Sequence, residues 1–82
     1  MSRIMRDKHN NQWTVVEHII LKNFWEYYII EDFDDDGIGY AYVMGIENEF
    51  GSVYLPEMKP YIVTRTKDLR EVFPPTRFTW VD

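Results

Sequence analysis

The sequence predicts an α+β domain: a small three- to four-stranded antiparallel meander with one N-terminal helix and short C-terminal helical turns. Three observations carry this expectation. Two apolar runs, over 24–31 and 38–46, flank an Asp36-Gly37 pair. Such a pair between such runs signals a hairpin, because Gly takes positive φ without a Cβ penalty. Trp13, Val16, Ile19 and Ile20 share one helical face ahead of them. Pro56 and Pro74-Pro75 punctuate short segments after them.

The chain has 82 residues, enough for one domain and one modest core. The 17% aromatic content supplies the buried area that so small a core otherwise lacks. There is no cysteine, which excludes a disulfide framework and a thiolate zinc site and fits a cytoplasmic setting. No window reaches the roughly 20 apolar residues of a membrane span, so no membrane role is expected. The net charge is −5, and no Lys or Arg occurs between Lys22 and Lys59. An acidic centre with mildly basic flanks lacks the basic stripe of a direct nucleic-acid binder and suits a partner with a basic surface.

In chain order, residues 1–11 are polar and aperiodic and are expected as a flexible arm. Residues 12–82 then form the domain. Residues 12–22 read both ways: Val15, Val16, Ile19 and Ile20 are β-branched, but alternation fails at Val15-Val16 and at Ile19-Ile20, which tips the reading to helix. Residues 24–31 form a strand with both faces largely apolar, interrupted by Glu26. Residues 38–46 form the next, with bulky even and small odd positions. A two-residue Asp36-Gly37 turn would set Ile29 opposite Met44 and Tyr27 opposite Ile46. The small-residue face would then take the helix. Residues 47–51 are a turn and 52–55 a third short strand. Pro56 opens a helical turn that Pro60 stops or kinks. Residues 66–72 read as an exposed helix, and 76–80 as a final edge strand.

For chemistry, Asp32, Asp34, Asp36 and Gly37 match positions 1, 3, 5 and 6 of a calcium loop. Tyr40 and Val43 occupy the later positions where ligands belong. Ser52 has no nucleophile-elbow context, and His9 and His18 stand alone, so no enzyme and no cofactor are expected. Tyr40 and Tyr42, beside Asp34, Asp35, Asp36, Glu47 and Glu49, are the candidate partner-binding residues, since aromatics beside carboxylates suit Arg and Lys.

The pattern Trp25-x-Tyr27-x-Ile29-x-Glu31, then Asp36-Gly37, then Gly39-Tyr40-x-Tyr42-Val43-x-Gly45-x-Glu47-x-Glu49-x-Gly51-x-Val53-x-Leu55-x-Glu57 resembles the DUF2958-type domain. This is a family of small proteins carried by phages and other mobile elements. The resemblance covers residues 24–58 and departs at Tyr54 and Pro56. It implies the meander and a mobile-element setting, and no catalytic residues. The expectation is a non-enzymatic acidic accessory protein that acts by protein–protein binding, as an inhibitor or nucleic-acid mimic. The alternatives are a calcium-binding module using Asp32, Asp34 and Asp36, and a structural self-associating subunit. Monomer and homodimer both stay open.

Overall fold

The computed structural model describes residues 1–81. Among them the chain is mostly β. The strands are β1 (Arg3–Arg6), β2 (Gln12–Val15), β3 (Glu17–Leu21), β4 (Glu26–Glu31), β5 (Ile38–Met44), β6 (Asn48–Tyr54), β7 (Ile62–Thr66) and β8 (Thr79–Val81). They form a three-stranded sheet, β2-β1-β8, and a five-stranded sheet, β6-β5-β4-β3-β7, with every pairing antiparallel. Helix is confined to α1 (Leu55–Met58) and a 3₁₀ turn, Lys59–Tyr61. None of it is long and apolar enough to cross a membrane.

This overturns the α+β expectation. The N-terminal helix does not form: residues 12–21 are β2 and β3, broken at Val16, and Lys22 starts the next turn. Val15 belongs to one core cluster and Val16 packs against the other. The doubled valines mark the point where the chain crosses between sheets, which is why alternation fails there. Ile19 is fully buried within a central strand, so β3 does not alternate cleanly with solvent. The segment expected as a flexible arm holds β1, the middle strand of its sheet, with Met5 completely buried. The expected helix over 66–72 is absent, and those residues are strand end, turn and loop.

Three hairpin loops share one construction. In each, an N–H three residues on bonds back to a carbonyl, and a residue of positive φ closes the loop. The first is Asp7 to Asn11, closed by Asn10 at φ 67°. The second is Leu21 to Trp25, closed by Phe24 at φ 69°. The third is Asp34 to Ile38, closed by Gly37 at φ 83°. This is the three-residue loop of a turn followed by a left-handed residue. It replaces the expected two-residue turn and, together with an irregularity at Ile30, resets the register. Ile29 faces Ala41, not Met44, and Tyr27 faces Val43, not Ile46. The shift from Met44 to Ala41 is three positions, an odd number, so it exchanges the residues that share a face.

The bulky face of β5 therefore meets Tyr28 and Ile30 and packs on the three-stranded sheet. Between the sheets lie Met5, Val15, Tyr28, Tyr42 and Leu69, flanked by Trp13, Phe50, Phe78 and Trp80. Tyr42 meets Phe50 and Phe78 edge-on with centroids 4.8 and 4.9 Å apart. The small face of β5 looks the other way. Ala41 shares a second cluster with Ile19, Leu21, Tyr27, Ile29, Val53 and Met58 of α1. A helical turn does lie on the small-residue face, but it comes from the C-terminal side.

Candidate functional site

The hairpin tip is built by Asp34. Its Oδ1 accepts the N–H groups of Asp36 and Ile38, both at 2.9 Å. Asp7 does the same for His9 and Asn11 in the β1–β2 loop, at 2.9 Å each. Short carboxylates that hold their own loop amides are turn formers. Asp32 Oδ1 accepts from Phe33 N–H, and its Oδ2 stands 4.0 Å from Lys67 Nζ. Asp34 and Asp32 of the calcium pattern are thus turned to separate tasks, and Asp36 is exposed and joins the turn through its backbone N–H. Among the described residues no group of three or more His, Asp or Glu side chains comes together as a metal cradle.

The candidate partner-binding residues do not form one patch. Asp34, Asp35 and Asp36 are exposed ahead of β5, whereas Glu47 is exposed past its other end and Glu49, on β6, is exposed opposite Val43 near that end. Most of the length of β5, on the order of 20 Å, lies between the two groups. Tyr40 is half-buried and stacks on Phe50 at 6.2 Å. Tyr42 is only 8% exposed.

A cleft of about 280 Å³ gathers other residues instead. It opens on the small-residue face, between β4–β6 and α1. Trp25 and Tyr27 form aromatic walls, Tyr54 borders the cleft at the end of β6, and Glu49 and Glu57 bring carboxylates. No Lys or Arg is among its described lining residues. The sequence builds it locally. Trp25 rests flat against Gly45, where a Cβ would come within 2.8 Å of the indole. Gly51, mid-strand in β6, leaves the floor open, since a Cβ there would touch nothing within 4 Å. α1 starts with Pro56 in its first turn and places Glu57 and Met58 at the rim. Of the partner-binding residues expected from the sequence, only Glu49 lies here. The signals for the rest were Gly45 and Gly51, two glycines inside apparent strands.

Two polar clusters lie elsewhere. His18 is buried, and its Nε2 lies 2.9 Å from Glu26 Oε1. The Tyr28 hydroxyl reaches the same oxygen at 3.4 Å and donates to the Phe73 carbonyl at 2.9 Å. Burial raises the Tyr28 phenol well above its ordinary pKa, and the Glu26 charge adds to this. With Trp80 Nε1 donating to the Val72 carbonyl at 2.8 Å, this seam fastens the 67–78 loop to both sheets. Glu17, only 1% exposed, pairs with Arg65 of β7. The Arg65 guanidinium also lies 5.7 Å from the Phe33 ring centroid. A larger hollow of about 570 Å³ is lined by Thr66, Asp68, Arg70, Glu71 and Val72. Two of its charges already meet, with Arg70 Nη2 2.7 Å from Asp68 Oδ2.

No family model matches the chain, and neither the curated proteins nor the solved structures yield a match.

Proposed function

We propose that this chain is a non-enzymatic binding protein that holds a basic protein partner through its acidic, aromatic surface. The observation that carries the reading is the cleft, where Trp25, Tyr27 and Tyr54 stand beside Glu49 and Glu57 with no cation among the lining residues. Aromatic faces attract Arg and Lys, and nearby carboxylates fix their position. The exposed Asp35 and Asp36, and the run of 23–58 without Lys or Arg, extend the same negative field and steer a basic surface inward. Inhibition would follow where that basic surface otherwise holds nucleic acid. The phage or mobile-element setting within this reading comes from the resemblance of residues 24–58.

The test is affinity capture followed by binding measurements on the purified pair. Affinity is expected to fall by about tenfold or more when Asp35 and Asp36 are changed to Asn and Glu49 and Glu57 to Gln, and to weaken as salt rises. A partner held equally well by the neutralised chain overturns the reading.

A further inference from the structure

We infer that the cleft receives one arginine or lysine side chain, delivered by an extended segment of a basic partner that adds to the outer edge of β6. This rests on the proposed function and specifies its mode. The first support is the edge itself. β6 is an end strand of the five-stranded sheet, and among the described residues its ladder partner is β5 alone. It runs seven residues without proline. The opposite edge, β7, is guarded: its register shifts opposite Ile20/Leu21, and Arg65 is committed to Glu17. An unguarded strand edge presents free N–H and C=O groups to an incoming strand.

The second support is alternation. Gly51 pairs with Ala41 and Val53 with Gly39, so Glu49, Gly51 and Val53 present the cleft face of β6. A strand added beside β6 would send every second side chain to that same face. Gly51 is the one position on this face without a side chain, and the space above it is empty. Glycine in a strand interior costs stability and often marks the close approach of another backbone.

The third support is the chemistry of the space. A side chain entering over Gly51 meets Trp25 and Tyr27 with Glu49 and Glu57 at hand. That environment suits an apolar stem ending in a cation. A second copy of this chain fits poorly. It would bring its own Glu47, Glu49 and Glu57 against the same carboxylates.

The experiment uses the full chain, amide NMR, and short blocked valine–threonine peptides with one central residue: arginine, lysine or citrulline. The arginine and lysine peptides are expected to shift the β6 amides and the Trp25 indole. The uncharged citrulline peptide is expected to bind about tenfold more weakly. Gly51→Val fills the floor, suits a strand, and is expected to abolish binding while thermal stability holds or rises. Equal binding of citrulline and arginine peptides overturns the inference. So does binding retained by Gly51→Val. Shifts confined to Asp35 and Asp36 overturn the cleft mode and leave the broader reading standing. No response to any cationic peptide, together with loss of capture of a basic partner, overturns both.

Discussion

Arg65 and Glu17 show what a buried charge demands. Glu17 is almost wholly enclosed, while the Arg65 side chain is 36% exposed. Removing the arginine leaves the carboxylate enclosed and unpaired. Arg65→Ala is therefore expected to cost about 3 kcal/mol in urea unfolding, while a Glu17→Met/Arg65→Met pair stays within about 1 kcal/mol of the parent. An unchanged midpoint for Arg65→Ala would refute this. Phe24 is the opposite case. It is 85% exposed and sits at φ 69°, where a side chain is strained and buries nothing in return. Phe24→Asn is expected to raise stability by about 1 kcal/mol, because Asn tolerates the left-handed region. Some of this residue-scale detail was legible in the sequence. Asp34 and Gly37 announced a turn, and Asp34 does hold two of its amides. Tyr42 was not legible as core, because only the packing of a second sheet decides which aromatic faces inward.

At the scale of elements, the loops decide the register. Gly37 combines positive φ with a tight contact, since a Cβ there would lie 2.8 Å from Pro56 Cδ. Leu55 N–H also donates to the Gly37 carbonyl at 2.8 Å, so the tip and the start of α1 are locked together. Gly37→Ala is expected to destabilise by roughly 1–3 kcal/mol and to loosen the cleft rim along with the tip. Wild-type-like exchange of the Leu55 amide would contradict that coupling. The sequence located the central hairpin, where turn residues and alternation are local signals, while of the edge strand expected over 76–80 only Thr79 and Trp80 are strand. It did not reveal β3, because a strand buried on both faces loses the alternation by which a strand is recognised, nor β2, whose alternation lasts only four residues before the chain crosses between the sheets. Nor did it reveal β1, four residues long with Met5 as its single buried side chain.

For the molecule as a whole, pH acts from both sides. Hydrogen bonds from Arg70 hold the Asp68 carboxyl at about 2, below its ordinary 3.8. Burial alone would raise Asp7, but hydrogen bonds from Asn11 and His9 leave it lowered. A lowered folded pKa gives stability that is present above the unfolded value and lost as pH falls. Unfolding free energy is thus expected to decline below about pH 4, modestly and less at high salt, because both groups are exposed. Tyr28 is raised by burial, and Tyr27 and Tyr42 likewise. A raised folded pKa means full stability below the unfolded value and loss above it. Stability is expected to fall from about pH 10 upward, and a Tyr28→Phe chain to show a shallower fall. A pH series of urea midpoints checks both limbs.

One pairing also orders events in time. β1 is hydrogen-bonded on one side to β2, its neighbour in sequence, and on the other to β8, with Ile4 opposite Val81. The hairpins close over a few residues each, whereas this pair closes the entire chain into a loop, the slowest contact to find by chance. β8 is therefore expected to dock last on refolding and to open first under native conditions. In pulse-labelling hydrogen exchange its amides should gain protection after those of β4 and β5.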